Sequence, residues 1–258
     1  SYISWSQFVA VGNSALVNNT TGAYCVAVGH SALRGNTTGT SNIGIGQYTL
    51  YDNETGQNNV AVGHYALENN TNTNNAGVGY HALKNNTSGG HNVAIGSYAL
   101  DANTTASSCT AVGVSALTNN TTGTVNTAVG RQALESNTTG GYNQAFGYLT
   151  LQSNTTGSRN VGLGYSCLRN NTTGGDSIGI GYSTLNAQTT ATNNVGVGFE
   201  ALRYNVTGNN NVAIGVDALE DNTASNNTAV GHNALKENTT GTSNVAIGAL
   251  ASDVSTTA

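Results

Sequence analysis

One phrase of 17 residues is repeated along almost the whole chain, and this repeat limits the possible folds more than any other feature. "NTTGTSNIGIGQYTL" occupies residues 36–50, and "NTTGTSNVAIGALA" occupies residues 238–251. In each copy, the glycine that ends the V-A-V/I-G phrase is here called the anchor glycine. The steps between anchors are 17 residues, except for two steps of 16 that each lose a residue in the Thr/Gly stretch. The fifteen anchors predict a single repeat domain over residues 1–258: Gly12, Gly29, Gly46, Gly63, Gly79, Gly96, Gly113, Gly130, Gly147, Gly164, Gly181, Gly198, Gly215, Gly231 and Gly248.

The composition suits a thin, repeated core rather than a thick globular one. Charged residues make up 7% of the chain, there are 34 Gly, and Pro and Met are absent. The net charge of −5 is spread without runs, which disfavours a nucleic-acid groove. No apolar run approaches the roughly 20 residues of a membrane span. The chain has no signal peptide and does not begin with Met, so we interpret it as a processed product or a section of a longer polypeptide.

The columns of the repeat have distinct chemistry when positions are counted from the anchor glycine. Position −4 is usually Asn, positions −3 and −1 are mostly Val or Ile, and position −2 is Ala or Gly. Position +4 is Leu in all fourteen complete repeats, and position +7 is Asn in thirteen of them, followed by Thr-Thr-Gly or a close relative. Most charges fall at +5 or +6, or in the variable positions beside the anchor.

This pattern predicts an all-β fold, a parallel β-solenoid of about 15 coils with 17 residues each. The V-A-V/I-G segment alternates with a period of two and reads as a strand. Asn-Thr-Thr-Gly has turn chemistry, because Asn can bond its own backbone and Gly can adopt positive φ. Coils that stack at about 4.8 Å would make a rod roughly 70 Å long.

The Leu column must point inward, because a continuous exposed Leu stripe would aggregate. Stacked Asn side chains at position −4 are predicted to form an amide ladder. The strand carries no charge on either face, so we expect one face in the interior and the other against a second chain. The sequence does not show which face points outward.

The repeats resemble a known family. "NNVAVGHYAL" (58–67), "HNVAIGSYAL" (91–100) and "SNVAIGAL" (243–250) are similar to the N-S-V-A-I-G-x-x-A repeat in the heads of trimeric autotransporter adhesins. They also look like the repeats of phage tail-fibre shafts. The resemblance covers nearly the whole chain, and it implies a left-handed β-roll that packs side by side into a trimer. The coil here is longer than is typical of the adhesin heads.

Aromatic residues occupy position +1 in four successive coils, as Tyr148, Tyr165, Tyr182 and Phe199. Coil stacking would place these rings about 5 Å apart. They are interpreted either as a platform for sugars or another apolar ligand, or as stacking that stabilises the rod or the chain–chain contact. Tyr48, Tyr65 and Tyr98, at position +2, are expected to border a similar surface.

Other polar residues give no catalytic or metal constellation. His30, His64 and His232 share position +1 in non-adjacent coils, too far apart to share a zinc ion, and are interpreted as surface residues. Cys25, Cys109 and Cys167 fall in the Asn and Ala columns and read as small, partly buried substitutes. We expect no enzyme activity, cofactor or metal.

The Asn at +7 begins an N-x-S/T sequon in eleven repeats, and we place it on an outward turn. Candidate glycosylation sites are therefore Asn19, Asn36, Asn53, Asn86, Asn103, Asn120, Asn137, Asn154, Asn171, Asn205 and Asn238. Simple turn propensity explains the same motif, and an ice-binding Thr surface is a further alternative.

The sequence therefore favours an extracellular fibrous protein at a cell or virion surface, such as a trimeric β-roll shaft or head of an adhesin or viral tail fibre. The alternatives are a repeating subunit of a glycosylated extracellular filament and a glycan- or ice-binding solenoid. The expected partners are other copies of the chain, and glycans or a cell-surface receptor, without nucleic acid and without membrane insertion of this segment.

Overall fold

The computed structural model describes residues 7–252, and within them the chain is all-β. Residues 1–6 and 253–258, the two ends of the predicted repeat domain, lie outside the described residues. The chain divides into two compact units, Ser1–Val125 and Asn126–Ala258, here called unit 1 and unit 2. No helix with the length and hydrophobicity of a membrane span occurs in residues 7–252.

Each repeat contributes one short strand that ends just before the anchor glycine. Unit 1 contains β1 (Phe8–Val11), β2 (Cys25–Val28), β3 (Ile43–Ile45), β4 (Val60–Val62), β5 (Ala76–Val78), β6 (Val93–Ile95) and β7 (Thr110–Val112). Unit 2 contains β8 (Thr127–Val129), β9 (Gln144–Phe146), β10 (Val161–Leu163), β11 (Ile178–Ile180), β12 (Val195–Val197), β13 (Val212–Ile214), β14 (Thr228–Val230) and β15 (Val245–Ile247).

Within each unit, consecutive strands pair in parallel with a register of one coil. In unit 1 this pairing runs from β1 to β7, and in unit 2 from β8 to β15. Gly162, for example, lies opposite Gly179 in the next strand. The predicted β-solenoid and its period are thereby confirmed.

Backbone hydrogen bonds join neighbouring coils outside the strands as well. In one coil of unit 1, the Leu33 N–H donates to the Thr49 carbonyl (2.9 Å), and the Ser41 N–H donates to the Ala23 carbonyl (2.9 Å). Since the ladder uses the N–H groups of the turns as well as those of the strands, proline would remove a bond at most positions of the coil. This explains a chain without Pro.

The interior is a set of ladders, with one side chain of each kind per coil. The Leu side chains at +4 are fully buried from Leu33 to Leu117 in unit 1 and from Leu134 to Leu219 in unit 2. The small residues at −2 and +3, such as Ala94 and Ala99, are also fully buried. The core is therefore thin, and the predicted inward Leu column is confirmed.

The strands point their Ala and Gly side inward and their Val and Ile side outward. This settles the orientation that the sequence left open. The physical reason is space, because Ala94 at this position is already fully buried, and where Thr150 replaces the usual Ala at +3 even a Cβ on Gly162 would lie 2.5 Å from the Thr150 methyl group. A Val or Ile at −2 would not fit beside the Leu ladder.

The anchor glycine is required by conformation and by space. Gly164 has a φ of +139°, which L-residues rarely adopt, and a Cβ there would lie 2.2 Å from the Gly181 carbonyl oxygen of the next coil. The glycine of the Thr-Thr-Gly turn differs from the expectation of positive φ. Gly157 lies outside that region, but a Cβ on it would meet Asn154 Oδ1 at 2.4 Å, so this glycine is selected for space.

Besides the anchor glycines, non-glycine residues at +2, +4 and −5 of the coil have positive φ. Leu33 (51°), Ser41 (57°) and Tyr48 (56°) are examples from unit 1. A left-handed conformation is costly for a bulky residue such as Leu. Burial of the Leu side chain and the ladder bonds from its N–H group offset this cost.

Candidate functional site

The Asn residues at −4 connect neighbouring coils through hydrogen bonds. The Asn160 N–H donates to Asn143 Oδ1 (3.0 Å), and Asn160 Oδ1 accepts the Ser177 N–H (3.1 Å). Asn160 Nδ2 donates to the Gly174 carbonyl of the next coil (2.8 Å). The predicted buried ladder is confirmed, although its strongest contacts run from the amide to the backbone rather than between amides.

Asn at +7 was placed on an outward turn, and this prediction is wrong. Asn154 Nδ2 donates to Asn137 Oδ1 (2.8 Å) and to the Gly157 carbonyl of its own turn (3.0 Å). Asn171 Nδ2 in turn donates to Asn154 Oδ1 (2.8 Å). This column is a second amide ladder, which closes the turn and faces the interior.

Burial removes most of the predicted glycosylation sites from the surface of the folded chain. A glycan must be attached to Nδ2, which here is directed into a fully buried ladder. Asn19 is the exception, since it is half-buried. The ten other sequon residues are completely buried: Asn36, Asn53, Asn86, Asn103, Asn120, Asn137, Asn154, Asn171, Asn205 and Asn238.

The two threonines of the turn have different environments. Thr155, at +8, is half-buried and its hydroxyl donates to the Thr172 carbonyl of the next coil (3.0 Å). Thr156, at +9, is exposed. The turn therefore presents one outward Thr per coil rather than the paired outward hydroxyls on a flat strand that an ice-binding Thr-x-Thr array uses.

An apolar surface runs along the outer side of the strands, and we call it the strand face. It consists of the residues at −3 and −1. Exposed fractions at −1 include 36% for Val78, 45% for Ile95, 47% for Leu163 and 42% for Ile214. Charged residues do not occur in the described strands. Each unit thus carries a charge-free, partly exposed apolar stripe along its strands.

The four aromatic residues at +1 in unit 2 form the predicted ladder. Ring centroids lie 5.6 Å apart for Tyr148 and Tyr165, 5.1 Å for Tyr165 and Tyr182, and 5.1 Å for Tyr182 and Phe199. The last two pairs are parallel to within 8°. The Arg131 guanidinium lies 5.8 Å from the Tyr148 ring centre and covers that end of the ladder.

A second aromatic group lies in unit 1, around positions +1 and +2. Tyr48 and Tyr65 stack in parallel at 5.3 Å, as their common column predicts. His30 packs edge-on against Tyr48 at 5.2 Å, and His64 stacks on Tyr65 at 3.9 Å. Tyr98 is 39% exposed at the edge of this group.

Three histidines of unit 1, His30, His64 and His81, contact these rings; His30 is exposed, as expected for a surface residue, and His64 is half-buried. His81 contacts Tyr65 and Tyr80, with ring centres at 5.3 Å and 4.0 Å. Burial, reinforced by Lys84, lowers the pKa of His81, although Asp101 at 3.8 Å opposes this. The sequence indicated this cluster, because aromatic side chains at +1 and +2 of adjacent coils lie next to one another.

The cysteines are free and buried, as expected from their columns. Cys109 occupies an Asn position of the −4 ladder, and its N–H donates to Asn92 Oδ1 (2.9 Å). Burial raises the pKa of the Cys167 thiol to about 12. A thiol in this state is a poor nucleophile, because the thiolate is the reactive form.

A charged cluster in unit 2 was not anticipated from the sequence. Oxygen atoms of Glu200, Asp217 and Glu220 lie within 4.8 Å of one another. Lys236 Nζ lies 3.2 Å from Asp217 Oδ2 and 2.9 Å from Glu220 Oε2, and Arg203 lies 2.7 Å from Glu200. The hydrogen bond to Glu220 is the main reason that the pKa of Lys236 is raised. Two cations of the chain, Lys236 and Arg203, thus form ion pairs with these three carboxylates.

A comparison with models of known protein families finds no matching family, and a comparison with curated protein sequences finds no match.

Proposed function

We propose that this chain is a self-associating structural protein, an extracellular β-roll shaft or head of a surface adhesin or viral tail fibre. The observation that carries the proposal is the strand face. Its Val and Ile side chains are half-buried or exposed in both units, while the small residues of the same strands fill the interior. Covering such a surface with another apolar surface is favourable in water, and continuous apolar stripes of this kind mark interaction sites.

The distribution of the remaining side chains supports a display role. Charges and aromatic rings are concentrated at +1, +2, +5 and +6, where the sequence varies from coil to coil. The interior ladders repeat with little change. A scaffold that keeps its interior constant and varies one outer face can present different contact surfaces along its length. Trimerisation is the assembly that the resemblance to adhesin heads implies.

The test is the solution mass of the chain, whose monomer is 26.1 kDa. Light scattering after size-exclusion chromatography is expected to give three times this mass. Substitution of Ile95→Lys and Ile214→Lys on the strand face is expected to yield monomers, because two buried charges per chain would be unpaired in the contact. Thr139→Lys, on the exposed turn, is the matched control and should leave the mass unchanged. A monomeric wild type would contradict the proposal, and long filaments in negative stain would favour end-to-end polymers instead.

A further inference from the structure

The strand face widens in unit 2 into a larger apolar surface, here called the aromatic patch. It consists of the residues on both sides of four successive anchor glycines, Gly147, Gly164, Gly181 and Gly198. Seven of these eight side chains are between 37% and 47% exposed, and the eighth, Val197, is half-buried. The two residues that flank one glycine have Cα atoms no more than about 7 Å apart, so the exposed −1 and +1 columns are neighbours on the surface of the coil.

The patch is as large as the largest apolar patches that a monomer usually exposes. Large apolar side chains each bury about 150–250 Å² when covered, so eight of them at two-fifths exposure present roughly 500 Å². Exposed apolar patches of this size generally mark an interaction site. A standard protein interface needs about 800 Å² per partner, so the patch supplies more than half of one side.

The ring geometry decides what kind of partner fits. Tyr165 and Tyr182 stack in parallel, and Tyr182 and Phe199 do the same, so each ring turns its faces largely toward its neighbours. The ladder therefore presents ring edges and phenol groups outward. A sugar that stacks on an aromatic ring needs a free face, so this arrangement disfavours the carbohydrate platform that the sequence also allowed.

We propose that the aromatic patch is part of the contact between copies of this chain, and that its partner is the apolar strand-side surface of a second copy. This inference rests on the self-association proposed above. Two observations favour a second copy as the occupant. The patch is continuous with the strand face through Phe146, Leu163 and Ile180, and it repeats once per coil, as the corresponding surface of another copy does. None of its eight side chains is charged, so a partner of opposite charge has nothing to recognise.

Unit 1 provides the contrast. Its +1 column is mixed, because His30, Gln47 and Ser97 are polar, and its exposed apolar residues, Tyr80 and Val114, are not in adjacent coils. Its Tyr48 and Tyr65 rings instead pack among neighbouring rings at +1 and +2. The aromatic patch should therefore make unit 2 the dominant half of the copy–copy contact.

Analytical ultracentrifugation of the full chain tests this inference with the double variant Tyr165→Ser/Tyr182→Ser. Loss of two central aromatic side chains is expected to weaken association by about a hundredfold or more. Tyr142→Ser is the matched control, since Tyr142 lies in the same unit, is 59% exposed and belongs to the turn. It should leave the association constant unchanged. If the wild type assembles and the double variant associates equally tightly, this inference is overturned but the proposed self-association is not.

Tyrosine nitration of the wild type gives an answer that does not depend on a variant folding. In the assembled protein, Tyr165 and Tyr182 should be protected from tetranitromethane, and Tyr142 should react. Dilution to the monomer should expose all three residues equally. Rapid nitration of Tyr165 and Tyr182 in the assembled state would contradict the inference. A wild type that is monomeric at all concentrations would overturn the proposed function as well.

Discussion

Replacement of Gly164 with Ala tests whether the anchor glycine is required by space or by conformation alone. The new Cβ would lie 2.2 Å from the Gly181 carbonyl oxygen, and Cβ contacts below 3.0 Å essentially never occur. The next coil must therefore move away by roughly 0.8 Å, which lengthens a typical hydrogen bond past its usual 3.2 Å limit. The bond affected is the one from the Gly181 N–H to the Leu163 carbonyl, now 2.8 Å.

Two contributions make up the expected loss of stability. The φ of +139° is unfavourable for Ala and costs about 1–3 kcal/mol. A buried backbone group that loses its hydrogen bond costs about another 1–3 kcal/mol. The sum, about 2–6 kcal/mol, should destabilise mainly the adjacent coils, because each coil of a solenoid contacts only its neighbours.

Gly248→Ala separates the two contributions. Gly248 has a similar φ of +129°, but a Cβ there meets nothing within 4 Å. Its expected cost is the conformational part alone, about 1–3 kcal/mol. Hydrogen exchange at the Gly181 amide should be at least about thirtyfold faster in Gly164→Ala, whereas exchange at the Gly231 amide, in the coil beside Gly248, should change less in Gly248→Ala. Equal effects in the two variants would refute the steric argument.

Three further predictions concern the interior ladders. Leu33→Ala should cost about 2–5 kcal/mol in denaturant unfolding, because the side chain is fully buried, whereas Val17→Ala, at a 59% exposed site, should cost little. Asn160→Ala should cost about 2–4 kcal/mol, because it leaves buried backbone partners unsatisfied, and Asn18→Ala, at an exposed position, should stay within about 0.5 kcal/mol; equal losses would contradict the ladder. Burial raises the pKa of Cys167 from 9.0 to about 12, so its contribution to stability is complete below pH 9 and is lost as the pH rises toward 12. Cys167→Ala, which restores the usual residue of its column, should flatten this decline in urea unfolding between pH 8 and 10.5, and an unchanged slope would contradict it.

Much of the fold could be read from the columns of the repeat. The 17-residue period defined the coil, and it placed the strands within a residue of their observed positions. The invariant Leu at +4 identified the interior, because only a buried position requires the same large apolar residue in every coil. The stacking of Tyr165 on Tyr182 followed from their shared column alone.

The two Asn columns show the limit of this reasoning. Both contain the same residue in nearly every coil, yet only the −4 column was recognised as a buried ladder. Asn154 was placed outside because its sequence context, Asn-Thr-Thr-Gly, is typical of a surface turn. A turn can be on the surface while its first side chain folds back into the interior, and local propensity does not distinguish these cases.

The sequence by itself determined the coil, its period, and the identity of the Leu ladder, because these depend on contacts that repeat once per coil. Only the tertiary structure decided which way each remaining side chain points. Ala94 faces inward and Ile95 outward because the space beside the Leu ladder admits only a small group. Asn154 faces inward because its amide bonds both its own turn and the preceding coil. Direction in a thin solenoid is set by the volume and hydrogen bonding between coils, and a single repeat does not contain that information.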